Sequence, residues 1–80
     1  MTERRVTSDD VVAAVKEALA RLRGEHPPVD GDTQLHELAL ESLEIVEIFI
    51  VLEERTGAAI SIDGLDGLVK VADIATLESL

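Results

Sequence analysis

The sequence contains no cysteine, no tryptophan and no tyrosine, and it has a single phenylalanine. Without cysteine it has no disulfide framework, no thiolate nucleophile and no zinc-ribbon site. It is also poor in positive charge, because 7 lysine and arginine residues face 17 aspartate and glutamate residues and the formal net charge is −10. Proteins that bind nucleic acid need a basic field and often aromatic side chains on which bases stack. The composition therefore excludes disulfide scaffolds, thiol enzymes and nucleic-acid-binding proteins.

A long hydrophobic run is missing as well. The longest apolar stretch, residues 45–52, is interrupted by Glu47, and it is far shorter than the roughly 20 residues that cross a bilayer. Charged residues such as Asp9 and Lys16 interrupt the N-terminal segment, which therefore lacks the apolar centre of a signal peptide. Hydrophobic residues still make up 46% of the chain, which is enough for a small core. We expect one soluble, cytoplasmic domain that spans residues 1–80.

The negative charge is concentrated in the second part of the chain. Residues 1–26 contain five basic and five acidic residues, whereas residues 27–80 contain two basic and twelve acidic residues. Solubility alone does not require this asymmetry. It predicts a surface that presents one sign of field to a basic partner, with a merely solvated acidic face as the alternative.

A first helix is predicted over Ser8–Arg23. Thr7 or Ser8 can cap its N-terminus, and its apolar residues recur at spacings of three and four. Gly24 is a typical C-terminal stop, and the two prolines that follow prevent continuation. The helix therefore has a buried apolar face and defined ends.

The polar segment of residues 24–41 is predicted to be a long loop. Loops of this length inside a compact domain are uncommon and often functional. Leu35 and Leu38 are the residues expected to attach it to the core.

A second helix is predicted over Ser42–Thr56, ending at Gly57. At about 100° per residue, one face collects apolar residues and predicts a buried stripe; these are Ile45, Val46, Phe49 and Leu52. The opposite arc carries the carboxylates Glu44, Glu47 and Glu54, with Leu43, Ile50 and Val51 near them. This helix is thus expected to have a second apolar patch that is rimmed with acids.

The remaining residues complete an all-α fold. Residues 58–62 favour a strand locally, but a single strand has no partner, so we expect an extended connection. Asp63–Leu68 is predicted as a short helix and Ala72–Leu80 as a last helix, with Ile74 and Leu77 facing inward. The predicted fold is a small four-helix bundle of three main helices plus a short third helix.

A calcium-binding loop is the first alternative for the long loop. Asp30, Asp32, Gln34 and Glu41 occupy positions 1, 3, 5 and 12 of an EF-hand pattern. Position 6, which needs glycine for a sharp turn, is Leu35. We reject a specific EF-hand, while weak cation binding by the acidic surface stays open.

A serine hydrolase is the second alternative, because Ser42 begins a helix after a loop as a nucleophile elbow does. Its flanks read Ala-Leu-Glu-Ser-Leu and lack the glycines of that turn. The two histidines, His26 and His36, both lie in the long loop and are expected to be ordinary surface residues. A catalytic triad on such a bundle is improbable.

Ser42 can instead be an attachment point. A serine at the start of a helix is most often only a cap. Three features argue for more: the apolar Leu43 beside it, the carboxylates that line the same helix, and the helix N-terminus, where free N–H groups and the dipole favour a phosphate. Those carboxylates are Glu41, Glu44, Glu47 and Glu54.

The chain resembles the acyl carrier proteins. The similarity is strongest over residues 38–47 (Leu-Ala-Leu-Glu-Ser-Leu-Glu-Ile-Val-Glu), continues through residues 52–60 and resumes over residues 71–74. Ser42 falls on the serine of the family's Asp-Ser-Leu signature, with Glu41 in place of the aspartate. Ala39 stands where the family usually has glycine.

The resemblance implies that Ser42 carries 4′-phosphopantetheine through a phosphodiester and that acyl groups are held as thioesters on its terminal sulfur. The protein would be a free-standing, monomeric acyl carrier protein of fatty-acid, polyketide or related secondary metabolism. It would not be an enzyme, because the reactive chemistry belongs to the cofactor.

The implied partners are a phosphopantetheinyl transferase and basic-surfaced acyltransferases, ketosynthases or acyl ligases. The carboxylates are expected to steer these enzymes and two aliphatic side chains to make short-range contact; this docking face comprises Glu41, Leu43, Glu44, Glu47, Val51 and Glu54. The alternative is an acidic helical adaptor that binds a basic partner without a prosthetic group.

Overall fold

The structure, a computed structural model, describes residues 6–61, 64 and 67–79, and its two main elements are α-helices. Helix α1 spans Ser8–Arg23 and helix α2 spans Ser42–Thr56, with the bounds that the sequence predicts. A 3₁₀ helix at Leu35–Leu38 lies in the loop between them, and a second 3₁₀ helix spans Val71–Leu77. The described residues confirm a small helical bundle. The predicted short helix at Asp63–Leu68 lies largely outside them.

Local signals fix both ends of α1. Thr7 Oγ1 accepts a hydrogen bond from the Asp10 N–H at 3.2 Å, and Asp10 Oδ2 accepts one from the Thr7 N–H at 3.0 Å. This reciprocal capping box satisfies two N–H groups at the helix start, those of the N-cap Thr7 and of Asp10 in the first turn. At the other end Gly24 adopts the left-handed region with φ 69° and donates to the Ala20 carbonyl at 3.0 Å.

The core forms between one face of α1, one face of α2 and the C-terminal 3₁₀ helix. The α1 side chains that are buried recur at helical spacing and are Val11, Ala14, Val15, Ala18 and Leu19. From the C-terminal 3₁₀ helix, Val71 and Ile74 are buried and Leu77 packs against the core, so the predicted inward orientation is confirmed.

The buried face of α2 agrees with the predicted one only in part, because Phe49 and Leu52 are buried as predicted but the other two residues are not. Val51 is fully buried, whereas Val46 is 44% exposed and Ile45 is only partly buried. Apolar residues surround much of this helix, so periodicity alone does not select a face. The elements that cover α2 decide which side chains are enclosed.

The C-terminal segment differs from the predicted helix over Ala72–Leu80. After the 3₁₀ helix the chain becomes extended, and strand β2 (Glu78–Ser79) pairs antiparallel with strand β1 (Ala59–Ile60). The prediction that residues 58–62 lack a strand partner was therefore wrong. The partner lies far along the chain, where a local pattern does not reveal it.

The loop between the helices is fastened to the C-terminal segment. Leu35 donates its N–H to the Val69 carbonyl at 2.8 Å, and Val71 donates to the Thr33 carbonyl at 2.8 Å. Leu38 is buried and Leu35 packs against the core, as predicted. Backbone pairing and apolar anchoring together hold the chain that leads into α2.

One residue of this loop has a strained backbone. Ala39 has φ 49° and ψ 50°, and it is the one non-glycine residue with positive φ in the described part of the chain. This left-handed turn redirects the chain from the first 3₁₀ helix towards α2. It costs an alanine roughly 1–2 kcal/mol.

We expect Ala39→Gly to raise the free energy of unfolding by about 0.5–1 kcal/mol. Relief of the left-handed strain exceeds the roughly 0.4–1 kcal/mol by which glycine favours the unfolded chain. Gly57→Ala is the opposite control, because Gly57 has φ 72° and open space around an added Cβ. It should lower stability by about 1 kcal/mol. Urea unfolding measures the change in free energy of unfolding in each variant. If Ala39→Gly lowers it, as Gly57→Ala is expected to do, Ala39 is not strained.

Candidate functional site

Ser42 is the first residue of α2, and its side chain is exposed. The first intrahelical hydrogen bond runs from the Ile45 N–H to the Glu41 carbonyl at 3.0 Å. The N–H groups of residues 42–44 precede that bond and have no partner one turn back. A phosphate ester on Ser42 would therefore lie at donors and a dipole end that favour an anion.

The capping of α2 comes from within the helix. Glu41 is the N-cap residue, with an extended backbone at φ −89° and ψ 163°, although glutamate is not among the preferred N-cap residues. Glu44, at the third helical position, reaches back, and its Oε1 accepts from the Glu41 N–H at 2.9 Å. The helix start is thus secured by Glu44.

Arg23, the last residue of α1, binds both Glu44 and the loop before Ser42. Its Nη2 donates to Glu44 Oε1 at 2.7 Å, and its Nε donates to Oε2 of the same carboxylate. The same Nη2 donates to the carbonyls of Leu38 at 2.9 Å and Ala39 at 3.3 Å. We call this set the Arg23 clamp: Arg23, the Glu44 carboxylate and the carbonyl groups of Leu38 and Ala39.

The clamp shifts the titration of its carboxylate. Hydrogen bonding from Arg23, and then from the Glu41 N–H, lowers the pKa of Glu44 from its ordinary 4.5 to about 2. Glu44 is only 5% exposed. Two-point pairing of a guanidinium with a carboxylate is stronger than a neutral hydrogen bond and also fixes the geometry.

Two residues of the predicted docking face are therefore corrected. Glu44 does not face solvent, because its carboxylate is enclosed and paired with Arg23. Val51 does not offer a contact surface, because its side chain is fully buried in the core. Sequence reasoning missed the ion pair, since nothing local to Glu44 indicates that Arg23 returns to it.

The exposed apolar surface of α2 comprises Leu43, Val46 and Ile50. Leu43 is 67% exposed, and Val46 and Ile50 are each 44% exposed. Their spacings of three and four residues place them on one face of the helix. We call these three residues the apolar stripe. The expected contact residue Leu43 belongs to it, and the sequence pattern also places Ile50 near the carboxylates. Val46 is predicted to lie in the buried stripe, and its exposure corrects that prediction.

The remaining carboxylates differ in their surroundings. Glu41 and Glu54 are exposed. Glu47 is partly covered, and its Oε2 accepts from Arg21 Nη1 at 3.0 Å. Arg21 also pairs with Glu17 at 2.6 Å on its own helix. Both arginines at the end of α1 thus neutralise carboxylates of α2.

The described residues do not support the two alternative sites, a serine hydrolase at Ser42 and a calcium-binding loop. His26 and His36 are both exposed, as predicted, and among the described side chains no hydrogen bond joins either one to Ser42. In the loop, the Asp30 carboxylate accepts from the Asp32 N–H at 2.9 Å inside its own turn. Over residues 6–61, 64 and 67–79, no three potential metal-binding side chains come together. None of the described helices combines the length and apolarity needed to span a membrane.

Comparison with known proteins gives one match. A family model described as the phosphopantetheine attachment site matches residues 9–77. That range includes nearly all of α1, the loop, α2 and the C-terminal 3₁₀ helix. Searches of curated proteins and of solved structures give no match.

We expect the contribution of Glu44 to stability to disappear in acid. Because its pKa in the folded protein lies below the ordinary 4.5, the clamp stabilises the fold above that pH and loses this effect as pH falls towards about 2. The difference in free energy of unfolding between wild type and Glu44→Gln should therefore be largest near neutral pH and shrink between pH 4.5 and 2.

The control is the same substitution in an Arg23→Ala background. Without its guanidinium partner, Glu44→Gln should produce a difference that depends much less on pH. Denaturant unfolding monitored by circular dichroism measures all four proteins. If the difference in free energy of unfolding between wild type and Glu44→Gln stays constant from neutral pH to pH 2, the ion pair with Arg23 does not control the titration of Glu44.

Proposed function

The chain belongs to the family whose members have a phosphopantetheine attachment site, and we propose that Ser42 is its attachment point. The family carries a covalently attached 4′-phosphopantetheine group. Through a phosphodiester on Ser42 Oγ, this protein presents acyl groups as thioesters to partner enzymes of fatty-acid, polyketide or related secondary metabolism. The thiol of the arm supplies the reactivity, and the protein supplies attachment and orientation.

The observation that carries the proposal is the placement of Ser42. Its exposed hydroxyl is accessible to a modifying enzyme. The N–H groups at the start of α2, which have no carbonyl partner one turn back, favour a phosphodiester at the same position. Ser8 shares part of this environment, since it is the exposed first residue of α1, but it lies outside the matched range of residues 9–77.

The surface beside Ser42 supports docking of basic enzymes. The apolar stripe lies on the helix that Ser42 begins, and the exposed carboxylates of Glu41 and Glu54 flank it together with Glu47. Charge steers encounter over roughly 10 Å at 0.1 M salt, whereas apolar contact acts only at short range. A phosphopantetheinyl transferase and acyl-handling enzymes with basic surfaces fit this combination.

We expect Ser42 to gain the prosthetic group when the protein is incubated with a phosphopantetheinyl transferase and coenzyme A. Intact-mass spectrometry should show the gain in wild type and its complete loss in Ser42→Ala. Ser8→Ala is the matched control, because it removes an equivalent serine from the start of the other helix, and it should still be modified. Fragmentation of the modified protein should place the added mass on residue 42.

Two outcomes would overturn this assignment. An equal mass gain in wild type and Ser42→Ala would place the attachment elsewhere. Absence of any gain with several transferases would favour an acidic helical adaptor that binds a basic partner without a prosthetic group.

We expect charge reversal on the docking surface to slow modification. Glu54→Lys should lower kcat/KM for transfer and flatten its dependence on salt, because Glu54 is exposed and exposed charge acts mainly on association. Asp32→Lys changes the net charge by the same amount. Asp32 follows Gly31, which lies close to Ser8 at the N-terminal end of α1, far from the clamp at the C-terminal end.

Asp32→Lys should therefore have a much smaller effect on transfer. Circular dichroism verifies that every variant keeps its helical content. If Asp32→Lys slows transfer as much as Glu54→Lys, net charge rather than a docking surface controls the rate.

A further inference from the structure

The Arg23 clamp spans the chain on both sides of Ser42. On one side Arg23 binds the carbonyls of Leu38 and Ala39, and on the other it binds the carboxylate of Glu44. A single guanidinium therefore fixes the approach to α2 and the first turn of α2 relative to the end of α1. Ser42 itself is left exposed within this arrangement.

The clamp differs from an ordinary surface ion pair. Isolated exposed pairs contribute little, because water screens them and long side chains lose entropy. Here the side chain of Glu44 is 7% exposed and that of Arg23 is 27% exposed, and both carboxylate oxygens receive guanidinium donors. A largely enclosed network of this kind tends to specify one arrangement.

Two local weaknesses explain why such a network is needed at this position. Ala39 holds a left-handed conformation that an alanine rarely adopts, and strained residues persist only where their surroundings hold them. Glu41 occupies the N-cap, although its side chain is poorly suited to that role. The clamp binds the carbonyl of the strained residue and fixes the carboxylate that caps α2 from within.

We propose that Arg23 and Glu44 are positioning residues for the modification of Ser42. The clamp holds the Ala39 turn and the start of α2 in one arrangement, in which the Ser42 hydroxyl and the N–H groups at the helix start meet the incoming phosphate together. In the transfer, Ser42 Oγ forms a bond to the phosphorus that carries the pantetheine arm, and the phosphoanhydride bond of coenzyme A breaks. Adenosine 3′,5′-bisphosphate leaves, and the hydroxyl proton is released. This inference rests on the proposed function of Ser42 as the attachment site.

The clamp acts on the step after binding. Glu44 is enclosed and is not available to contact a partner enzyme, so its loss leaves the docking surface in place. Loss of the Glu44 carboxylate releases the turn that aligns Ser42. Misplacement of a reacting group by about 1 Å can lower the rate by as much as 100-fold. The expected effect is therefore a lower kcat for transfer, with little change in KM.

The test compares two clamp variants with a charge-matched control. Arg23→Ala and Glu44→Gln each break the clamp from one side, and Glu44→Gln keeps nearly the same shape. Arg21→Ala removes one positive charge from the same turn of α1. The ion pairs of Arg21 are with Glu17 and Glu47 and not with the loop before Ser42. Steady-state transfer from coenzyme A should show kcat reduced about tenfold or more in both clamp variants and unchanged in Arg21→Ala.

A rescue variant separates positioning from general stability. Aspartate is among the best N-cap residues, so Glu41→Asp in the Arg23→Ala background can cap α2 without restoring the ion pair. We expect it to recover part of the lost kcat. All assays are run at a temperature at which circular dichroism shows each variant to be fully folded, and Glu44→Gln carries the test if Arg23→Ala does not fold.

The outcomes distinguish this proposal from the attachment site itself. Unchanged kcat in a folded Glu44→Gln variant that is still modified on Ser42 would overturn the positioning role and leave the attachment site intact. A loss that appears only in KM would also overturn it, because it would show that the clamp serves docking. Absence of modification in wild type would instead overturn the assignment of Ser42.

Discussion

The ion pair between Arg23 and Glu44 is the constraint on which the arrangement around Ser42 depends. Because Arg23 ends α1 and Glu44 lies in the first turn of α2, the pair sets where one helix stops relative to where the other starts. The loop between them makes its own contacts with the C-terminal segment. Ser42 thereby receives a fixed place although the residues before it are irregular.

Charge in this protein has two distinct uses. Arg21 and Arg23 form ion pairs with two carboxylates of α2. These two pairs join the helices, and the paired carboxylates contribute less to the electrostatic field in the solvent. The exposed acids, among them Glu41 and Glu54, supply the long-range field. An acidic helix therefore cannot be interpreted as a uniform docking surface, because some of its charges are internal connections.

The parts of the fold that the sequence predicts correctly are those with local causes. Thr7, Gly24 and Gly57 mark helix ends by capping chemistry that involves only near neighbours, and α1 and α2 have the expected bounds. The burial of Val51 and the pairing of Glu44 depend on distant residues, and so does the strand at Glu78–Ser79. For the candidate site, the exposed serine at the helix start could be predicted, but the guanidinium that holds its surroundings could not.

The pairing of β1 with β2 has a consequence for the order in which the molecule can assemble. It joins residues that directly follow α2 to residues 78–79, and Ile74 fills a place in the core just before that pairing. Such contacts form late, because distant segments must first be brought together. Closure of the core therefore waits until residues 71–79 reach the two helices, so the helix pair alone does not complete the fold.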